Sequence, residues 1–204
     1  SQLVALAVDA RPGETVIDLC AGAGGKTLAL AAAMDNRGTL VAVDSDRGRL
    51  SRLAPRAARA GADITATVLV DPGREPAALD RWTGQADAVL VDAPCSGTGT
   101  WRRNPEARWR LDEAGLGRLV ATQRRLLDIA AALVRPGGRL IYATCSVLDC
   151  EGTDQAAAFL ARQPGWRPAP LALGAGTPRG PGVRLTCAAD RTDGFFIAHL
   201  VRAC

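Results

Sequence analysis

Five short apolar runs alternate with stretches of helical periodicity, and that alternation constrains the fold more than any other feature. The runs are TVIDLC (15–20), TLVAVD (39–44), ITATVLV (64–70), ADAVLVDAP (86–94) and RLIYATCS (139–146). Helices are expected at about 26–34, 46–60, 75–82, 112–134 and 151–163. The fourth is the clearest, with Leu116, Leu119, Val120, Leu126, Leu127, Ala130, Ala131 and Val134 close to one face and RPGG (135–138) ending it. Strict strand–helix alternation implies a parallel sheet covered on both faces, an α/β fold. Two further runs, VRLTCA (183–188) and GFFIAHLVR (194–202), have no clear helix between them and read as an antiparallel C-terminal hairpin at one edge. The expectation is a mostly parallel seven-stranded sheet in a single domain, residues 1–204. The Pro/Gly-rich segment 171–182 reads as a loop within it, since strands follow.

At 204 residues and 48% apolar composition the chain can bury one full core, and no apolar run reaches the roughly 18 residues of a membrane span. It opens inside a helical stretch, SQLVALAV, with no basic-then-apolar leader, which suggests a domain cut from a longer protein. Net charge is a mild +4, and Lys26 is the only lysine among 25 basic residues. Six cysteines form no C-x-x-C pair and the single histidine, His199, lies in an apolar run, so neither a metal site nor a disulfide framework is expected.

In a doubly wound sheet, ligands bind beyond the carboxyl ends of the strands, where strand order reverses. That rim collects CAGAGGK (20–26), VD (43–44), VD (70–71), DAPCSG (92–97) and TCS (144–146). The loop LCAGAGGKT (19–27) superficially suggests phosphate binding. A Walker A loop, however, needs glycine where this chain has Cys20, and a dinucleotide fingerprint meets Thr27 at its third glycine. What survives is a glycine turn after the first strand and an acidic residue, Asp44, ending the second, 20 residues beyond Gly24. A carboxylate so placed can hydrogen-bond a ribose diol, which suits an adenosine without a pyrophosphate, and S-adenosylmethionine fits.

The fourth strand exits through Asp92-Ala93-Pro94-Cys95, where methyltransferases acting on exocyclic amines carry an Asn/Asp-Pro-Pro-aromatic turn. The fifth ends in Thr144-Cys145-Ser146, so two thiols converge on one rim. Cytosine C5 is too weak a nucleophile to take a methyl group directly. A thiolate adding to C6 makes C5 enamine-like, and eliminates after the C5 proton is lost. Asp92 is the candidate for stabilising charge on the ring.

Four segments, DLCAGAGGKT, VDAPCSGTGTWRRNPEARWR, LIYATCSVLDCEGTDQ and DGFFIAHL, together resemble the RsmB/NSUN-type RNA (cytosine-C5) methyltransferases, in the family's order from about Val16 to Leu200. The resemblance implies a Rossmann-like, class I S-adenosylmethionine-dependent methyltransferase, a cytoplasmic monomer acting on RNA, ribosomal RNA first, with no membrane partner. It implies Cys145 as nucleophile and Cys95 as the group that helps break the adduct. It also implies a cofactor site from Cys20, Ala21, Gly22, Ala23, Gly24, Gly25, Lys26, Asp44, Asp71 and Asp92, with Lys26 and Asp92 also serving the catalytic side. Three departures stand out: Ala23 replaces the usual proline, CEGTDQ (150–155) keeps Glu151 but drifts from the acidic helix start, and the chain begins too late for the N-terminal RNA-binding portion. RNA contact then falls to WRRNPEARWR (101–110): Arg102, Arg103, Arg108 and Arg110 for phosphates, with Trp101 and Trp109 free either to stack on a base or to pack beneath the loop. A base that reaches two buried thiols must be single-stranded or flipped out.

Other readings stay open on the sequence. They are the same chemistry on tRNA, a different methyl acceptor, a non-catalytic RNA-binding or ribosome-assembly module that keeps the fold, and a Cys95–Cys145 redox switch. The motif order argues against DNA, whose enzymes place the nucleophile in a Pro-Cys turn after strand four.

Overall fold

Ile17, Val41, Val89 and Leu140 are shut away from solvent completely, and so are their chain neighbours Val16, Ala42, Leu90 and Ile141. Only a sheet covered on both faces buries consecutive residues that point in opposite directions. A computed structural model describes residues 1–204 and has that architecture.

In chain order the elements are α1 (Gln2–Val8), β1 (Thr15–Asp18), α2 (Gly25–Ala33), β2 (Thr39–Asp44), α3 (Arg47–Leu50), α4 (Leu53–Ala60), β3 (Ala66–Leu69), α5 (Glu75–Leu79) and β4 (Ala86–Asp92). Then follow α6 (Glu113–Leu133), β5 (Val134–Thr144), α7 (Thr153–Arg162), β6 (Trp166–Pro168), β7 (Thr177–Arg179), β8 (Gly182–Leu185), α8 (Cys187–Asp190) and β9 (Phe195–Arg202). The sheet runs β3-β2-β1-β4-β5-β9-β8-β7, with β6 also paired to β9. The first five strands in that order are parallel, and β9 returns antiparallel against β5. Strand order reverses between β1 and β4, which puts a crevice beyond Asp18 and Asp92.

Each face has its own cover. Ile17, Val41, Val91 and Tyr142 pack under Leu126, Leu127 and Ala130 of α6 and Phe159 of α7. Val16, Leu40, Leu90 and Ile141 pack under Val4 and Val8 of α1 and Leu30 of α2.

The α/β class and the antiparallel C-terminal pairing hold, but the sheet has nine strands where seven were expected. The extra two, β6 and β7, are three residues each, and β7 lies inside the segment 171–182 read as a loop. A short helix, α8, does separate β8 from β9, because the Thr186 side chain accepts the Ala189 N–H and caps it. The helix expected over 46–60 is two helices, α3 and α4. Asp46 caps the first by accepting the Arg49 N–H, and Pro55 has no N–H to bond back to Ser51. RPGG is not a loop after α6 but a bulge within β5, as the pairing steps from Ala86–Val134 to Ala88–Arg139.

Candidate active site

The glycine loop is held by the strand tips beside it. Leu19 N–H donates to Leu90 O and Ala21 N–H to Val43 O, each at 2.9 Å, so the chain leaves β1 wedged between β2 and β4. Gly24, at φ 86°, turns the chain into α2, and a Cβ there would lie 2.0 Å from Leu53 Cδ1. Arg56 donates to Ala23 O at 2.8 Å, tying down the backbone where the usual proline is missing. Asp44 braces the same turn: its carboxylate accepts Gly22 N–H and Asp46 N–H, each at 2.7 Å.

Beyond these tips opens a cavity of about 560 Å³. Cys20, Ala21, Gly22, Asp44, Asp92, Cys95 and Cys145 line it. Ala23, Gly24, Gly25 and Lys26 do not; they form the back of the turn and the start of α2. Asp71 also lies outside the lining and is exposed. Lys26 instead reaches across to an ion pair with Asp92. Sequence reasoning missed Ser45, Asp46, Arg49, Glu75, Thr122 and Arg125, all on the cavity wall. Glu75 is buried and pairs with Arg125, a contact across 50 residues that no local pattern announces. The signal that was available for Asp46 and Arg49 is their position in the turn straight after Asp44.

Cys95 and Cys145 come together because β4 and β5 are parallel neighbours in register, Asp92 opposite Ala143. Ala93 N–H donates to Ala143 O at 2.9 Å and Gly99 N–H to Cys145 O at 3.0 Å, so the two strand exits are stitched to each other. The sulfurs stand 3.3 Å apart and unbonded, and all six cysteines are free. The pair is asymmetric. The Cys95 thiol donating to it holds Cys145 below the ordinary thiol range, with its own N–H and Lys26 helping against burial and Asp92. Cys95 is pushed far up, by that same hydrogen bond first and by burial next.

Glu151, fully buried, anchors both thiol turns. Its carboxylate accepts Ser96 N–H at 2.9 Å, Ser96 Oγ at 2.5 Å and Gln123 Nε2 at 3.0 Å, while Gln123 also donates to Pro94 O. Ser96 Oγ lies 3.3 Å from Ser146 Oγ, which lies 3.0 Å from Thr98 Oγ1. Below the loop, Asp18 is 1% exposed and accepts Thr27 Oγ1 at 2.7 Å, with its other oxygen unpartnered. Burial pushes its carboxyl up to about 7, against the pull of Thr27.

The arginines expected to meet RNA divide. Arg102 and Arg103 pair with Asp193 at 3.5 and 2.6 Å, and Arg108 lies over the Trp109 ring at 4.4 Å. Arg110 faces a second cavity. Trp109 is 78% exposed, whereas the Trp101 Nε1 is buried without a partner. No group of three or more His, Cys, Asp or Glu side chains could hold a metal ion, and no helix is long and apolar enough to cross a membrane.

The 16S rRNA methyltransferase RsmB/F family model matches residues 5–201. The chain is 42% identical over 192 residues to ribosomal RNA small subunit methyltransferase B of Citrobacter koseri, and 42% identical over 193 residues to the protein of that name from Salmonella typhi. Each alignment covers 93% of this chain and 42% of the relative, so the chain spans about two fifths of the length of the curated relatives it matches. Among solved structures it resembles PH0851, with TM-score 0.92 and 38% identity over 98% of this chain and 45% of that one. It also resembles NSun6 from Pyrococcus horikoshii with SFG, with TM-score 0.87 and 26% identity over 100% of this chain and 51% of that one.

Proposed function

We infer that this chain, which belongs to the 16S rRNA methyltransferase RsmB/F family, uses S-adenosylmethionine to methylate C5 of a cytosine in ribosomal RNA through a covalent Cys145 adduct. The observation that carries the reading is the thiol pair, 3.3 Å apart on the wall of the 560 Å³ cavity.

The cavity suits the cofactor. Its volume falls in the range of small-molecule sites, and Asp44 presents a carboxylate on its wall at the tip of β2, where a ribose diol would lie. The Cys20–Gly22 backbone and Asp92 would hold the remainder, Asp92 offering negative charge toward a sulfonium. When bound, S-adenosylmethionine supplies an electrophilic methyl group.

The residues then divide the work. Cys145, held toward its thiolate, adds to C6 of the cytosine and raises electron density at C5. Asp92, its own charge offset by Lys26 at the rim, would accept a hydrogen bond from the cytosine amino group and so hold the ring against Cys145 as the adduct forms. Once its sulfur is bonded to carbon, Cys145 carries no charge and accepts no strong hydrogen bond. The two Cys145 influences that hold Cys95 protonated then vanish. Cys95 releases its proton to solvent and takes the proton from methylated C5. The C6–S bond breaks, returning the electron pair to Cys145 and leaving 5-methylcytosine.

The test is the Cys95→Ala chain mixed with S-adenosylmethionine and unmodified ribosomal RNA, followed by denaturing gel and intact mass. A protein–RNA adduct that disappears on adding Cys145→Ala supports the division of labour. Normal cofactor binding with no adduct, in this chain and in a full-length relative carrying the same change, refutes it.

A further inference from the structure

We propose that the cleft between the 3₁₀ turn Pro105–Arg110 and the first turns of α6 is a phosphodiester site. Arg110 and Arg118 there grip the RNA backbone next to the target cytidine. The inference rests on the reading that RNA is the substrate.

The cleft holds about 420 Å³ and shares Cys95 and Thr122 with the cofactor-side cavity, so the two hollows meet at one of the thiols. A base reaching Cys145 from this side trails its strand past Cys95. The cleft is the ground that strand crosses.

Its chemistry matches a nucleotide. Half-buried Leu111 and Leu119 give an apolar floor, and exposed Arg110 and Arg118 stand over it. Neither guanidinium has a carboxylate within 4.0 Å, whereas Arg102 and Arg103 of the same basic stretch share the carboxylate of Asp193. The acidic neighbour Asp112 turns its carboxylate to Gly115 N–H at 2.6 Å, capping α6. Two unpaired cations beside apolar ground suit a phosphate joined to a sugar and base. The sequence offered Arg110 as one of four equal arginines; the fold separates it from the two already paired and adds Arg118.

Counterion release measures phosphate contacts directly. Affinity for a single-stranded ribosomal RNA oligonucleotide, read by fluorescence anisotropy, falls with salt with a slope of about 0.7 per phosphate neutralised. The Arg110→Gln/Arg118→Gln chain should therefore lose about 1.4 from that slope between 50 and 200 mM salt. The Arg110→Lys/Arg118→Lys chain should keep it. Arg59→Gln, which removes an exposed, unpaired arginine from the end of α4, should leave it nearly unchanged. A slope unaltered in the double glutamine variant, or lost equally in Arg59→Gln, overturns the cleft. Methyl transfer measured in parallel separates the two proposals. Transfer with an unchanged slope removes the cleft alone, and the expected slope loss without transfer, in this chain and in a full-length relative, removes the methyl-transfer reading alone. A chain that binds no RNA overturns the cleft, and the methyl-transfer reading falls with it when a full-length relative forms no adduct either.

Discussion

Replacing Asp18 by Asn should make the protein more stable relative to the unaltered chain as pH rises, and the structure sets the size. Asp18 is buried under the glycine loop with one oxygen on Thr27 and the other unpartnered. Its carboxyl is raised from 3.8 to about 7 by that burial. Between those two values the folded chain holds a proton that the unfolded chain has released. Stability therefore falls as pH rises through the window, and stays lowered above it. Carried through proton linkage, Asp18 costs about 1.5 kcal/mol at pH 5 and about 4 kcal/mol at pH 8. Asn keeps an acceptor for Thr27 but sets an N–H₂ where no acceptor waits, a penalty of about 1–3 kcal/mol that does not change with pH. That offset cancels when the variant is compared with itself at two pH values. Urea unfolding should show Asp18→Asn gaining about 2–3 kcal/mol on the unaltered chain between pH 5 and pH 8, or about 5–10 °C in Tm. An identical difference at both pH values would mean that Asp18 is ionised in the folded protein at little cost, and the reasoning from burial would be wrong.

Glu151→Ala takes an acceptor from the part-buried Ser96 N–H and Oγ–H and from the buried Gln123 amide, which keeps Pro94 O, and should cost about 1–3 kcal/mol in urea unfolding. Gly99→Ala drives a Cβ to within 2.0 Å of Gly194 O, a backbone atom, and should cost about 1–3 kcal/mol while lowering methyl transfer, because Gly99 N–H holds the Cys145 carbonyl. Cys95→Ala removes the donor that most lowers the Cys145 pKa, so the midpoint of Cys145 alkylation by iodoacetamide should move to higher pH. An unmoved or lower midpoint would mean that Cys95 does not supply the hydrogen bond.

What the sequence disclosed follows from how each element is buried. β1, β2, β4 and β5 are covered on both faces, so their apolar runs are unbroken and readable. Trp166–Pro168 and Thr177–Arg179 pair at the sheet margin over three residues, too short for any alternation to register. The convergence of Cys95 and Cys145 was legible because parallel strands deliver all their carboxyl ends to one rim. The network holding those thiols was not: Glu151 meets Ser96 across 55 residues, and Gln123 meets Glu151 across 28. Asp71 shows the opposite case. Its place after β3 resembles that of Asp44 after β2, but β3 is the outer strand, and the side chain stays outside the cavity.

The glycine loop and the thiol pair are parts of one electrostatic arrangement. Gly24 turns the chain so that Lys26 falls in the first turn of α2, and from there the ammonium reaches Asp92 at the tip of β4. Asp92 raises the Cys145 pKa and Lys26 lowers it, so the ion pair allows a carboxylate to sit beside a thiolate. Without the lysine, the Asp92 carboxylate would push the Cys145 thiol up with no nearby ammonium to offset it. The single lysine of a chain whose other 24 basic residues are arginine is thus placed where a compact point charge fits. The loop that superficially suggests phosphate binding carries its lysine to a carboxylate, and through that carboxylate to the Cys145 sulfur.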